Sequence, residues 1–321
     1  MTQDSTAPPS PSFRHRAEYW LVAGVRWIVG VMPDAMSRGL GTLLGLLFFL
    51  VDRRHRRVAM DQLQAAFPRR SAADCRAITR ATFVHFGRLL IAVLRFSTLT
   101  RGQMQQRVEF QGEDRVHAAL AAGKGAIIVT GHFGYWELGG LAHPLVLPPF
   151  WVLARPLDNP LLHRLLEDIR CGTGNRVIYK QGALRRVLRA LEQHESVAIL
   201  IDQYSQGPQS VPVEFFNRPA PTTAALASLA LRTGAPLVPA VALPLPGGRY
   251  RMVYEPAVEM PAADSPDPVR ELTQRCTDVL EMYVRRYPHL WLWMHRRWRD
   301  DGPVETDAVE MFPAPAPDEG D

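Results

Sequence analysis

Cysteine is scarce: Cys75, Cys171 and Cys276 are the only three in 321 residues, with no C-x-x-C pair and no Cys/His cluster. A disulfide framework and a cysteine-based zinc site are thereby excluded, and a reducing, cytosol-facing location fits best. Histidine pairs at i and i+4 are missing too. His143 and His163 lack supporting ligand spacing, so neither a metal nor another cofactor is expected. No G-x-S-x-G elbow occurs, and no cysteine adjoins the motif described below, which leaves covalent catalysis without a nucleophile. Neither end shows a secretory cleavage pattern, and no internal repeat is visible. The arginines are not interleaved with aromatics in a recognisable module, so nucleic acid is not an expected partner.

Acidic residues are unevenly placed. Residues 301–321 carry seven acids and no Lys or Arg, so the formal charge of +5 for the chain leaves +12 for residues 1–300. A body that basic favours anionic partners such as phospholipid headgroups or an acidic protein. Residues 1–13 and 301–321 are Pro-rich and polar, with too little apolar content to fold, and both are expected to be disordered.

Between Tyr19 and Val51 lie two apolar stretches, "YWLVAGVRWIVGVM" and "GLGTLLGLLFFLV", separated by "PDAMSR". The second runs 13 uncharged residues, Gly39 to Val51, short of the roughly 18 of a confident spanning helix. "DRRHRR" follows at once, and Trp20 and Trp27 flank the apolar start as interfacial aromatics do. Residues 14–58 therefore read as a membrane-anchoring helical hairpin with a basic cytoplasmic collar. A helical stretch from about Arg56 to Phe96 comes next, broken at "FPRRS", with Ser71 as an N-cap.

Past residue 125 short aliphatic runs alternate with helical segments. The runs are "AIIVT" (126–130), "FWVLA" (150–154), "RVIYK" (176–180), "SVAILID" (196–202), "APLVPAVAL" (235–243) and "RYRMVYEP" (249–256). Helices are expected at about 157–170, 182–194, 222–233 and from Val269 onward. This alternation specifies an α/β fold over residues 59–300, a mostly parallel central sheet flanked by helices on both faces. Sites in such sheets lie at the carboxyl ends of strands, and "TGHFGYWELGG" (130–140) follows the first run.

His132 and Glu137 on one continuous helix would point roughly 140° apart. They approach each other only if His132 lies in the turn before the helix, where Gly131 and Gly134 permit unusual backbone angles. A carboxylate on one ring nitrogen fixes the tautomer and stabilises the imidazolium, so the other nitrogen is a competent base. With no nucleophile at hand, the chemistry expected is removal of a proton from an alcohol that then attacks an activated acyl group.

"GHFGYWE" resembles the H-x4-D/E signature of membrane glycerolipid acyltransferases. The order of "RRVAMDQLQAAFP", "GHFGYWELGG", "ARPLDNPLLHRLLEDIR", "GALRRVLRAL", "LIDQ", "VEFFNRPAPTTAALASLALRTGAPLVP" and "YPHLWLWMHRRWR" is similar to that of the lipid A biosynthesis acyltransferases, across about residues 15–299. The resemblance implies transfer of a fatty acyl group from acyl carrier protein to a hydroxyl of a lipid A precursor, at the cytoplasmic face of the bacterial inner membrane. It implies His132 and Glu137 as the catalytic pair and Arg170 and Asp202 as further polar positions needed for activity, binding substrate or the oxyanion; Arg155 is a third candidate. The basic groups Arg185, Arg186 and Arg189, or Arg296, Arg297 and Arg299, are candidate surfaces for the acidic carrier protein. The cluster of Trp291, Trp293 and Trp298 reads as packing or membrane contact. Phe215 and Phe216 with Thr222 and Thr223 read either as an acyl groove or as core and N-cap. Gln62-Leu63 stands where the family usually has Asn-Leu, in a helix away from the expected chemistry; this departure bears on the acceptor. The alternatives are another lipid acceptor, such as a lysophospholipid or an amino-acid lipid, and a non-catalytic lipid-binding membrane protein.

Overall fold

The computed structural model describes residues 11–179 and 182–299. Disorder expected at 301–321 lies outside the described residues, as does that at 1–10, and so does Lys180 of the expected strand 176–180. Helix α1 (Phe13–Val31) begins within the segment expected to be disordered, because Ser12 caps it by accepting from His15 N. It is followed by α2 (Asp34–Val51), α3 (Arg53–Ala66) and α4 (Ala72–Phe96). The break at "FPRRS" ends in a capping box: the Ser71 side chain accepts from Asp74 N, and the Asp74 carboxylate accepts from Ser71 N. The boundary expected after residue 58 falls inside α3, which runs through it uninterrupted.

Helices α2 and α4 are both long and apolar enough to cross a membrane. They pack closely because glycines face each other: a Cβ on Gly45 would sit 2.4 Å from Phe83 O, and one on Gly87 2.4 Å from Gly41 O. Small residues four apart that let two backbones touch are the usual device of apolar helix pairs. At the start of α2, Asp34 holds Arg95 (2.7 Å) and Arg107 (2.8 Å). The other side of the layer is open, with Trp20, Trp27, Leu47, Phe48, Leu50 and Val51 all more than half exposed.

A short α5 (Arg101–Gln105) leads into β1 (Val108–Gln111), α6 (Glu113–Ala121), β2 (Ala126–Thr130), α7 (Trp136–Ala142), β3 (Phe150–Ala154), α8 (Pro160–Cys171), β4 (Arg176–Tyr179), α9 (Ala183–Glu192) and β5 (Ser196–Leu200). Then come β6 (Ser210–Glu214), β7 (Pro219–Thr223), α10 (Ala225–Thr233), β8 (Leu237–Leu245), β9 (Arg249–Tyr254) and α11 (Pro268–Arg286). Seven strands form one sheet in the order β1-β9-β8-β2-β5-β3-β4, and β6 and β7 form a separate antiparallel hairpin. Every pairing in the large sheet is parallel except β8 with β9. The sheet is the α/β architecture expected. Strand β1 and the hairpin were not anticipated.

The sheet's two faces differ in bulk. Ile127 and Val129 of β2, Val197 and Ile199 of β5 and Leu237 of β8 pack on α9, α10 and α11. The opposite face presents Ala126, Ile128, Ala198, Ala240 and Ala242 toward α4, α6 and α7. Small side chains under α7 leave space that larger aliphatics would fill. A third cluster joins α3 and α11 to the Trp291–Trp293 segment. The chain leaves β2 toward β3 on one side and leaves β5 toward β8 on the other. In open α/β sheets such a reversal marks the crevice where ligands bind.

Candidate active site

His132 and Asp202 stand just beyond the carboxyl ends of β2 and β5. These strands are adjacent, parallel and in register from Ala126–Ser196 to Thr130–Leu200. His132 N donates to Asp202 Oδ2 (2.7 Å) and its Nδ1 meets Asp202 Oδ1 (2.9 Å). Trp291 Nε1 donates to Asp202 Oδ2 as well (2.8 Å). The carboxylate is 4% exposed, so three donors hold a nearly fully buried anion. The approach is close enough to need glycine before the histidine: a Cβ on Gly131 would come within 3.0 Å of Asp202 Cγ and 2.8 Å of Leu280 Cδ2.

The loop is pinned on both sides. Leu292 N donates to His132 O (3.1 Å), and Gly134 N donates to Leu290 O (2.8 Å). Gly134 has φ of 60°, and a Cβ there would lie 2.2 Å from Ala242 O, so only glycine fits this turn. His85, from α4, donates through Nε2 to Gly134 O (3.0 Å). The segment 290–292 therefore lies against the His132 loop and supplies Trp291. That tryptophan, read from sequence as packing or membrane contact, is also a hydrogen-bond donor to the buried carboxylate.

Glu137 occupies the first turn of α7 and makes no hydrogen bond to the imidazole. Its carboxylate is gripped by Arg170 from the last turn of α8, Nη2 to Oε1 at 2.5 Å and Nε to Oε2 at 3.1 Å. The carboxylate seated on the His132 ring is thus Asp202, where Glu137 was expected. The physical reason is that strand register fixes Asp202 opposite His132, while α7 carries Glu137 out to α8. Four residues expected to act together, His132, Glu137, Arg170 and Asp202, do converge, as two ion pairs side by side.

Burial opposes charging of His132, yet the charge and hydrogen bond of Asp202, with the charge of Glu137 beyond, outweigh it and raise its proton affinity above the ordinary value. Burial likewise opposes ionisation of Asp202, and the His132 charge and hydrogen bonds overcome it, holding its pKa below the usual range. With Nδ1 committed to an ionised carboxylate, Nε2 is the nitrogen left to act as a base.

His132, Glu137 and Arg170 line a cavity of about 760 Å³ that runs under α7 past Ile128, Leu141, Phe150, Ala198 and Met252. Arg155, Tyr204, Thr223 and His295 line it too. Arg155 is exposed. His295 Nε2 is buried there without a hydrogen-bond partner among the described residues. Among the described residues no group of three His, Cys, Asp or Glu side chains is placed to hold a metal. Phe215 and Phe216 lie elsewhere, packed edge-on against Trp291 and Trp293. Thr222 accepts from Arg297, and only Thr223 reaches the cavity. Arg297 is 1% exposed and donates to Pro221 O (2.6 Å), which removes it from any docking surface. Arg185, Arg186, Arg189 and Arg296 are exposed.

Gln62, expected to lie apart from the chemistry, is tied to the segment that supports it. Its Nε2 donates to Trp293 O and His295 O (2.6 Å each) and its Oε1 accepts from Arg297 N (2.6 Å).

The profile of a family described as bacterial lipid A biosynthesis acyltransferase matches residues 7–300. The chain belongs to that family. This acyltransferase is 28% identical over 284 residues to a lipid A biosynthesis lauroyltransferase of Escherichia coli, covering 87% of this chain and 90% of the relative. Similarity extends to a lipid A biosynthesis palmitoleoyltransferase of the same organism, 24% identical over 295 residues and covering 90% and 94%. A phosphatidylinositol mannoside acyltransferase of Mycolicibacterium smegmatis is 25% identical over 283 residues, covering 85% and 89%. The relatives are thus named for two different lipids, and the enzyme acts on a lipid acceptor.

Proposed function

We propose that the enzyme moves a fatty acyl group from acyl carrier protein to a hydroxyl of a lipid A precursor, at the cytoplasmic face of the inner membrane, by general-base catalysis without an acyl-enzyme. The observation that carries this reading is a His132–Asp202 pair at strand ends opening into an apolar-walled cavity. Nε2 of His132 takes the proton of the acceptor hydroxyl as its oxygen attacks the thioester carbonyl. The C–O bond forms, a tetrahedral oxyanion follows, and the C–S bond breaks. The imidazolium returns its proton to the departing thiolate, so the enzyme is unchanged. Asp202 orients the ring and stabilises its charged form. The Arg170 guanidinium, beside Glu137, offers positive charge to the oxyanion or to an anionic headgroup. The cavity under α7 suits the hydrocarbon chain of the donor.

The exposed apolar belt on α1 and α2 and the arginines of α3 support work at a membrane surface. Exposed Arg185, Arg186 and Arg189 suit an acidic carrier protein; replacing all three with Glu and finding the donor KM unchanged removes that assignment. A different glycolipid acceptor is the second reading, supported by the similarity to phosphatidylinositol mannoside acyltransferases and by Gln62 in place of the usual Asn. The test is His132→Ala assayed with acyl carrier protein thioesters and a lipid A precursor, product read by mass spectrometry. A fall of about 10²-fold or more is expected. Unchanged transfer would refute the base; wild-type transfer to a phosphatidylinositol mannoside and not to the lipid A precursor, read in the same assay, would select the second acceptor.

A further inference from the structure

A second cavity, about 790 Å³, lies at the junction of α2, α3 and α4 and shares no residue with the reaction cavity. Its walls combine two chemistries. Leu46, Phe49 and Leu50 of α2 and Met60 of α3 make the apolar side, and Arg76 and Arg80 of α4 make the cationic one. The two arginines, four apart and on one helix face, have side chains that form no ion pair or hydrogen bond with other described residues. Elsewhere on the same helix Arg95 is tied to Asp34. Residues 53–80 hold eight arginines against two aspartates, and Asp74 is committed to capping α4.

We propose that this groove binds an anionic glycerophospholipid of the surrounding bilayer, its phosphate between Arg76 and Arg80 and an acyl chain along Leu46, Phe49 and Leu50. The inference rests on the membrane-surface reading above. The apolar wall is continuous with the outward belt of Leu47, Phe48, Leu50 and Val51, 54%, 51%, 67% and 70% exposed, which a bilayer covers and an acidic protein does not. A phospholipid joins hydrocarbon and phosphate in one molecule, matching walls of both kinds. The bound lipid fixes how deeply α2 sits and so how the reaction cavity meets its lipid acceptor.

The test uses the full chain in non-ionic detergent, incubated with equal phosphatidylglycerol and phosphatidylcholine, gel-filtered, and its bound lipid quantified by mass spectrometry. Wild type should retain phosphatidylglycerol selectively. Arg76→Gln/Arg80→Gln should weaken that retention about thirtyfold, from roughly fivefold per arginine at an anionic lipid. Ala77→Trp, which fills the groove without changing charge, should weaken it comparably, and circular dichroism checks that both variants fold. The charge-matched control Arg185→Gln/Arg186→Gln should retain the lipid. Wild-type retention by either groove variant, or an equal loss in the control, overturns the proposal. His132→Ala must bind phosphatidylglycerol like wild type, so failure of the transfer reaction and failure of the groove are read separately.

Discussion

His132 and Asp202 are partners because the offset of 70 residues that pairs β2 with β5 continues past the ladder, Thr130 with Leu200, then His132 with Asp202. The geometry of this pair is therefore the register of two parallel strands carried two residues further. Strands buried on both faces hold register firmly, so the imidazole and carboxylate are positioned by the sheet itself. Trp291 and Leu292 complete the arrangement from the far end of the sequence.

Replacing Asp202 with Asn should lower kcat by about 10²–10⁴, because the ring loses its fixed tautomer and the charge that stabilises the imidazolium. The pH profile carries the sign. The base acts when neutral, so activity rises with pH through the raised His132 value, and the wild-type acidic limb lies above the ordinary 6.5. Without the carboxylate, burial dominates and the limb moves to lower pH, as a kcat/KM profile will read. The pair's contribution to folding behaves accordingly. The His132 part is complete below its ordinary value and lost as pH rises through the raised one; the Asp202 part is lost as pH falls below the carboxylate range.

Arg170→Ala leaves the Glu137 carboxylate half-buried and unpaired. After allowance for side chains about one-fifth exposed, the expected loss of stability is about 1–2 kcal/mol, seen as a lower thermal midpoint. Glu137→Gln added to Arg170→Ala should return much of that stability and none of the transfer activity. Arg170→Lys keeps the charge but not the two-pronged grip, so it should fold like wild type and still lose transfer. Full activity in the lysine variant would show that charge alone suffices.

The sequence made most of the sheet legible, since "AIIVT", "FWVLA" and "SVAIL" are short aliphatic runs bounded by turns, and the structure places strands there. Strand β1, "VEFQ", has only two apolar residues and pairs parallel with a distant strand, and the β6–β7 hairpin carries Pro212, Pro219 and Pro221, which signal loops. The four charged residues of the candidate site were singled out in the sequence, two of them through the family resemblance, but their pairing was not legible. Five-residue spacing suggested Glu137 as the histidine's partner, whereas a register between strands 70 residues apart leaves no local mark. Gln62 was read as remote from the chemistry and Trp291 as packing or membrane contact for the same reason: their partners are distant in sequence and meet only in the fold.

Gln62→Leu should expose this hidden link. It leaves the carbonyls of Trp293 and His295 and the amide of Arg297 without their partner in a buried place, at about 2–4 kcal/mol in urea unfolding. Because the same segment carries Trp291 to Asp202 and His295 to the cavity, transfer should fall with stability even under conditions where the protein is fully folded. Gln62→Asn keeps both functional groups on a side chain one methylene shorter and should lie between. Equal stability of Gln62→Leu and wild type would mean that the segment is held by aromatic packing alone.

Gly45→Val tests whether the apolar helix layer and the reaction site are one mechanical unit. Its side chain would collide with Phe83 O and Val84 Cα, 2.4 and 2.6 Å from the first new carbon, and neither backbone atom can move without shifting α4. Separation of α2 from α4 should cost about 2–3 kcal/mol, measured as a drop in thermal midpoint in detergent. Helix α4 also carries His85, whose bond to Gly134 O steadies the turn between His132 and α7, so transfer should decline although the substitution is in a different layer. Gly39→Ala is the control: nothing lies within 4 Å of its added carbon, and a helical alanine should be neutral or stabilising by up to about 1 kcal/mol. If Gly45→Val matches that control in both midpoint and transfer, the close helix contact does not bear on the site.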